Sequence, residues 1–262
     1  MVHNTRNTSE IQNAAVHKRY VAHFDMLGFK SAIRIDPEKA WSALLKLRSC
    51  MDGLERYGLE HLTEERIILS RIVTRIFSDT ILVFTLGDEA DDLTGIVLLT
   101  AQLFAGALAS CIPLRGGIAH GDFFVEDGLQ LYCGAPFVKA YELGEQSQWS
   151  GIILDEVVAD RFSNQLGAPF TTHGNIPTIV RWNVPLKSKQ KIASWVVNWP
   201  LIYREGFKKR SPLSVQEYYE AFKPLLGPYE GLKPDDKAKH KNTVDFINAQ
   251  LDAFPDAKVV VH

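Results

Sequence analysis

Near the N-terminus the chain reads YVAHFDMLGF, from Tyr20 to Phe29. Its apolar run is typical of a β-strand, the run stops at Asp25, and Gly28 follows three residues later, where a helical pattern begins. Backbone N–H groups at the start of that helix can hold a phosphate group. An Asp at the end of a strand is also an ordinary helix N-cap. The stretch therefore predicts a strand, a turn and a helix, with a carboxylate at the turn that apolar packing does not require.

A second strand pattern carries a carboxylate of the same kind. The sequence RIFSDTILVF, from Arg75 to Phe84, consists of two β-rich runs that Ser78 and Asp79 interrupt, as a hairpin turn would. Taken alone, Ser-Asp-Thr is an ordinary turn. If the two strands are neighbours, Asp25 and Asp79 meet at one edge of a sheet, where paired carboxylates hold divalent cations against a triphosphate.

Two further blocks follow: RGGIAHG, from Arg115 to Gly121, and YCGAPFVKAYEL, from Tyr132 to Leu143. Together with the first two blocks, in this order and spacing, they resemble the class III nucleotidyl cyclases. The segment FDMLGF is similar to the first metal motif of that family, and Asp79 stands where its second metal aspartate does. The resemblance covers about residues 18–160, and its specificity comes from the order of the blocks.

The resemblance implies an α+β, ferredoxin-like (βαββαβ) class III cyclase catalytic core at residues 18–186, followed by a C-terminal extension. It also implies two divalent ions per site, Mn²⁺ or Mg²⁺. Members of the family work as homodimers with active sites at the subunit interface, so we expect a homodimer here. The site residues that the resemblance implies are Asp25, Met26 (through its backbone carbonyl) and Asp79 for the metals, and the amides of Leu27, Gly28 and Phe29 for the β- and γ-phosphates.

On the helix that begins at Gly134 the sequence departs from the family. The positions of the transition-state Asn and Arg of adenylate and guanylate cyclases fall on Val138 and Glu142, and neither side chain can do their work. Lys139 is one residue away and is the only cation on this helix, so we expect it to act as the catalytic cation. The alternative is a solvated surface lysine.

Base recognition departs from the family as well. Arg75 stands at the position of the base-reading lysine and Leu131 at that of the base-reading aspartate, so no acidic partner for a purine is expected. This pattern looks most like the pyrimidine cyclases of the bacterial Pycsar antiphage system, which pass cyclic UMP or cyclic CMP to a separate effector. Because Arg75 presents only donors, which match the O2 and O4 acceptors of uracil, UTP is the expected substrate. The alternatives are a cytidylate cyclase, a purine cyclase, a catalytically inactive homologue that binds nucleotide, and a nucleotide-free scaffold.

The composition is that of a globular protein: of 262 residues, 46% are hydrophobic and 23% are charged. A net charge of −2 gives no basic surface for nucleic acid. Three cysteines without ligand spacing suit a reducing cytoplasm. The N-terminal segment contains no apolar signal region, and we expect residues 1–17 to form a disordered tail.

The rest of the pattern predicts the remaining elements. The apolar run Ile96–Leu114 is interrupted by polar residues and Pro113, which favours a buried helix over a membrane span. Residues 187–262 are expected to form a helical, aromatic extension with a scaffold or dimerisation role. Helical spacing of its aromatic residues is found at Trp195, Trp199, Tyr203 and Phe207. The predicted strands are Val21–Phe24, Ile67–Phe77, Ile81–Leu86, Leu114–His120, Phe123–Tyr132, Ile152–Leu154 and Thr178–Leu186, and the other predicted helices are Pro37–Tyr57, one from Gly134 and one within Pro234–Phe254.

Overall fold

The computed structural model describes residues 16–57, 72–166, 171–172, 176–203 and 212–255. Most of its strands form one large sheet, and a separate two-stranded ribbon comprises β7 and β8. The strands are β1 Val16–Met26, β2 Ile72–Phe77, β3 Thr80–Thr85, β4 Leu114–Glu126, β5 Leu131–Gly134, β6 Ile152–Leu154, β7 Thr171–Thr172, β8 Ile176–Pro177, β9 Ile179–Pro185 and β10 Lys191–Val197. The helices are α1 Phe29–Ile35, α2 Pro37–Tyr57, α3 Ala90–Ala109, α4 Ala135–Glu145, α5 Glu156–Leu166, α6 Trp199–Ile202, α7 Val215–Tyr219, α8 Lys223–Leu226 and α9 Pro234–Ala253.

The central strands have the predicted ferredoxin-like topology. Along the main sheet the order is β2-β3-β1-β4-β6-β10-β9, with β5 paired to β4. Strand β1 is antiparallel to both β3 and β4, and β2 is antiparallel to β3. The path β1, α1 and α2, β2, β3, α3, β4 is therefore a βαββαβ unit, which confirms the predicted fold class.

The sheet continues beyond this unit. Strand β6 pairs with β4 in parallel, as a βαβ crossover through α4 requires. Strand β10 is antiparallel to both β6 and β9. Because β10 begins at Lys191, the sheet runs past the expected boundary between residues 18–186 and 187–262.

The apolar helix α3 lies in the core. It is long and apolar enough to cross a membrane, but 83% of its apolar window is buried inside the protein. The ring of Phe104 packs edge-on against Phe24 of β1, with centroids 5.8 Å apart. The helix starts earlier than predicted because Glu89 and Asp92 form a capping box. It ends at Ala109, and Pro113 then precedes β4, so the predicted helix Ile96–Leu114 is too long at its C-terminal end.

The C-terminal helix α9 lies within its predicted range. The four-residue aromatic spacing that precedes it does not come from a single helix. Trp195 lies in strand β10, opposite Arg181 of β9, and a helix begins only at Trp199. The four-residue spacing therefore joins a strand to a short helix, and Phe207 lies outside the described residues. Helix α9 packs through Phe246 against Trp149 and Trp182, with ring centroids 5.0 and 5.1 Å apart.

Strand β1 is longer than the apolar run suggested. Its first residues, Val16 and His17, pair with Phe124 and Phe123 of β4, although the sequence placed them in the N-terminal tail. Residues 1–15 lie outside the described part of the chain. The first part of the predicted strand Ile67–Phe77 does so as well, and the described strand is Ile72–Phe77.

Candidate active site

The two aspartates singled out in the sequence come together at the end of the sheet where β1 finishes and β3 begins. This end of the strands is called the carboxylate edge. Asp25 is the register partner of Thr80, the residue after Asp79. The backbone N–H of Met26 donates to the carbonyl of Asp79 at 2.8 Å. In the hairpin turn Ser78 has a φ of 54°, a left-handed conformation that turns the chain back into β3. The strand pairing thus puts two carboxylates on neighbouring chain segments.

Arg115 fixes the position of Asp25. The two residues are opposite each other on β4 and β1, and Nη2 of Arg115 lies 3.0 Å from Oδ2 of Asp25. The same nitrogen lies 2.6 Å from Oε2 of Glu145, and Nη1 donates to the carbonyl of Ser147 at 3.1 Å. The Arg115 side chain is only 4% exposed. Its guanidinium is therefore held in place by burial and by its contacts with the carboxylates of Asp25 and Glu145.

Glu145 completes an acidic edge that the sequence did not reveal. Lys187 makes a close ion pair with it from the loop after β9. Partial burial disfavours the charged form of Glu145, but the hydrogen bond from Lys187 and the charges of Arg115 and Lys187 outweigh it, so the Glu145 pKa is lowered. Glu145 is therefore an anion at neutral pH.

A third cation of the site, Lys30, pairs with Asp79. Nζ of Lys30, in the first turn of α1, is 3.2 Å from Oδ2 of Asp79. The hydrogen bond and charge of Asp79 raise the pKa of Lys30, and the charges of Asp25 and Glu145 raise it further. Positive charge is thus drawn to this edge by three carboxylates.

The donors at this edge fit a divalent metal. Carboxylate and carbonyl oxygens are the ligands that Mg²⁺ and Mn²⁺ prefer. In this structure Asp25 and Asp79 each bind a cationic group, that of Arg115 and that of Lys30, so both carboxylates attract positive charge. Among the described residues no group of three or more His, Cys, Asp or Glu side chains could hold an ion by itself. A site with two carboxylates needs its remaining ligands from carbonyl, water and phosphate oxygens, which is the usual arrangement for Mg²⁺.

The turn after Asp25 has the predicted shape, with one difference. Gly28 is the N-cap of α1 and has a φ of 75°, a left-handed conformation that suits glycine. The N–H of Leu27, however, donates to the carbonyl of Pro113 at 2.9 Å. The Leu27 amide is therefore not available to phosphate while this bond holds, which corrects the expected set of three amides.

The helix that carries Lys139 packs against β1. The His23 ring lies between Phe137 and Tyr141, with centroids 5.3 and 5.2 Å away. Nζ of Lys139 is 4.0 Å from Oδ1 of Asp155, and its side chain is half exposed. In the described part of this chain, the ion-pair partner of Lys139 is therefore Asp155 and not a metal aspartate.

Arg75 has an acidic partner that the sequence comparison placed elsewhere. Its Nη2 lies 2.5 Å from Oδ1 of Asp127, and its Nε donates to the hydroxyl of Tyr132 at 2.9 Å. The hydrogen bonds from Tyr132 and Arg75 lower the Asp127 pKa. Leu131, at the expected acidic position, is exposed. The turn between β4 and β5 thus brings to Arg75 a carboxylate, that of Asp127, which the sequence reasoning did not consider.

The chain is similar to solved structures, whereas sequence comparisons find no match. No protein-family model matches the sequence, and no curated protein matches it. Among solved structures, the catalytic core of a rhodopsin-guanylyl cyclase with converted specificity, in complex with ATPαS, is similar at 15% identity and a TM-score of 0.49. The match covers 70% of this chain and 95% of that chain. ATPαS is a ligand of that protein. The roles of residues in this chain depend on the contacts that this chain itself makes.

Proposed function

We propose that this protein is a nucleotidyl cyclase that converts a pyrimidine nucleoside triphosphate, preferably UTP, into the 3′,5′-cyclic monophosphate and pyrophosphate. The observation that carries the proposal is the meeting of Asp25 and Asp79 at one sheet edge, joined by the Met26–Asp79 backbone bond of 2.8 Å. Apolar packing requires neither carboxylate. A pair of adjacent carboxylates beside a helix N-terminus suits phosphoryl transfer assisted by metal ions.

The residues of this chain have distinct roles in the proposed reaction. Asp25, Asp79 and the Met26 carbonyl would hold two divalent ions, Mn²⁺ or Mg²⁺. When bound, these ions lower the pKa of the ribose 3′-hydroxyl and offset charge on the triphosphate. Arg115, which is buried, keeps the Asp25 carboxylate in place through their ion pair. The amides of Gly28 and Phe29 hold the β- and γ-phosphates.

The bond changes follow from this arrangement. The ribose 3′-hydroxyl gives its proton to solvent water, its oxygen attacks the α-phosphorus in line, and the bond from that phosphorus to the pyrophosphate oxygen breaks. Lys139 stabilises the developing charge on the phosphates. Because Lys139 pairs with Asp155 in its own chain, we assign this role to Lys139 of a second subunit, so that the active species is a homodimer.

Arg75 is the proposed reader of the base. A guanidinium has five N–H donors, and contacts to Tyr132, Asp127 and the Thr74 carbonyl use three of them. The N–H groups that remain can donate to a carbonyl acceptor of uracil, O2 or O4. Asp127 favours a second candidate, a cytidylate cyclase, because a carboxylate can accept a hydrogen bond from the amino group of cytosine.

The proposed setting is a bacterial cytoplasm, where the cyclic nucleotide acts as a second messenger in antiviral defence and is read by a separate effector. This part of the proposal rests on the resemblance of the sequence to pyrimidine cyclases. Residues 187–262 are assigned a scaffold or dimerisation role, and neither nucleic acid nor a membrane is a proposed partner.

Incubation of the purified protein with all four ribonucleoside triphosphates and Mn²⁺, followed by mass spectrometry, tests the proposal. We expect cyclic UMP as the main product, with UTP preferred over CTP by about tenfold or more. A preference for CTP would contradict the role given to Arg75 and support the role of Asp127. Nucleotide binding without any cyclic product would indicate an inactive homologue, and a preference for ATP or GTP would contradict the pyrimidine assignment.

A further inference from the structure

Lys30 is the most exposed cation of the candidate metal site. Its side chain is 76% exposed, and its ammonium lies 3.2 Å from the Asp79 carboxylate. Arg115, in contrast, is 4% exposed and is bound to Asp25, Glu145 and the Ser147 carbonyl. Lys187 is occupied by Glu145. Of the three cations at this edge, Lys30 is the most exposed and the one that pairs with Asp79.

An ammonium and a divalent ion compete for the same carboxylate oxygens. Asp79 has only a small exposed fraction, 13% of its side chain, so few directions of approach to its oxygens are open. Asp25 and Glu145, which share the nearby Arg115 nitrogen, add further negative charge at this edge. An ion that binds Oδ2 of Asp79 therefore competes with Lys30 for that oxygen.

The position of Lys30 in α1 gives its displaced ammonium a destination. Lys30 follows directly after Gly28 and Phe29 in the chain. The amides of these two residues are the proposed phosphate ligands. A displaced lysine in this turn remains within reach of a phosphate bound there, since its flexible four-carbon stem carries a compact charge. An ammonium that leaves Asp79 can thus neutralise an anion instead of remaining unpaired.

We propose that Lys30 is a displaceable counter-ion, which occupies Asp79 in the empty site and transfers to the triphosphate when a divalent ion binds. The inference rests on the proposed function and adds a coupling to it. Lys30 weakens metal binding when nucleotide is absent and strengthens nucleotide binding when metal is present. Metal and triphosphate therefore bind with positive cooperativity, and by linkage each raises the affinity for the other by the same factor.

The test measures binding and not turnover. Mn²⁺ binding is followed by calorimetry in the parent and in Lys30→Met, with and without a non-hydrolysable UTP analogue. Without nucleotide, we expect Lys30→Met to bind Mn²⁺ about two- to fivefold more tightly, the range of an exposed ion pair. With Mn²⁺ present, we expect the variant to bind the analogue more weakly by a similar factor. Lys46→Met, which removes an exposed lysine of α2, should change neither affinity.

The opposite signs distinguish this role from a structural one. A fall in both affinities, or no change in either while the parent binds Mn²⁺, would overturn the role of Lys30 and leave the metal site intact. Parent protein that binds Mn²⁺ no better than Asp79→Ala would instead refute the metal site, and with it the proposed function. Lys30→Arg, which keeps the charge, should restore the cooperativity in part.

Discussion

The guanidinium of Arg115 lies 3.0 Å from the carboxylate of Asp25, and the two residues face each other across antiparallel strands. One Arg115 nitrogen thereby bridges Asp25 and Glu145. A buried cation beneath two carboxylates offsets their mutual repulsion and orients the Asp25 oxygens. The geometry of the candidate metal site therefore depends on a residue that itself need not touch the metal.

Replacing Arg115 by Met should harm both folding and activity. The variant loses the buried hydrogen bond to the Ser147 carbonyl and leaves Asp25 and Glu145 without their shared cation. We expect a loss of about 1–3 kcal/mol in the free energy of unfolding, measured by urea denaturation. Cyclase activity should fall by more than about tenfold. Unchanged stability together with unchanged activity would contradict the positioning role.

The buried His240 predicts a loss of stability in acid. Desolvation lowers its pKa from 6.5 to about 4, and its Nδ1 has no hydrogen-bond partner in the described structure. Its ring contacts Tyr219 and Phe222. Because the unfolded chain takes up the proton first, the stabilising contribution is complete above about pH 6.5 and is lost as the pH falls toward 4.

The corresponding measurement is urea unfolding of the parent and His240→Phe across that pH range. The pKa difference corresponds to about 3 kcal/mol for the parent, and an aromatic ring without a titrating nitrogen should remove most of this pH dependence. His17→Phe, which replaces an exposed histidine on β1, should retain the dependence seen in the parent. A His240→Phe profile as steep as that of the parent would show that other groups cause the acid loss.

Complementation between subunits tests the homodimer. Asp25→Asn and Lys139→Met should each be inactive alone. If each site combines Asp25 of one subunit with Lys139 of the other, a mixed dimer has one intact site. Equal mixing should then restore about one quarter of the parent activity, because half of the dimers are mixed and each has one of two sites. No recovery, with subunit exchange demonstrated by tagged chains, would place both residues in one subunit or remove Lys139 from the reaction.

Much of the core could be predicted because its signals are local. Apolar runs located β1 and β3, and Pro37 marked the start of α2 because proline fits the first turn of a helix. Asp25 and Asp79 could be singled out because each carboxylate ended or interrupted an apolar run, and their meeting was predicted on the condition that the two strands are neighbours. Such interruptions are visible in one sequence when packing gives no reason for them.

The missed features depend on contacts between distant segments. Arg115 was visible within a motif, but its contact with Asp25 depends on the strand register, which no local pattern fixes. From the sequence, Asp127 was interpreted only as a turn residue. Its partner Arg75 is 52 positions away, so no local pattern indicated their contact. Strand β10 was missed because its first residues are exposed and show little alternation. The Pro113 acceptor of the Leu27 amide arises in the same way, from the meeting of two loops.

The central claim is that Asp25 and Asp79 form one metal site for cyclisation. Its most direct test is the initial rate of cyclic nucleotide formation with Mn²⁺ by the parent, Asp25→Asn, Asp79→Asn and the control Asp52→Asn, which changes a half-exposed carboxylate of α2 paired with Arg48. We predict that each of the first two variants loses more than about 100-fold in rate while it keeps a cooperative unfolding transition. The control should retain the parent rate. Activity within about tenfold of the parent in either folded site variant, roughly 1.4 kcal/mol of barrier, would contradict the claim.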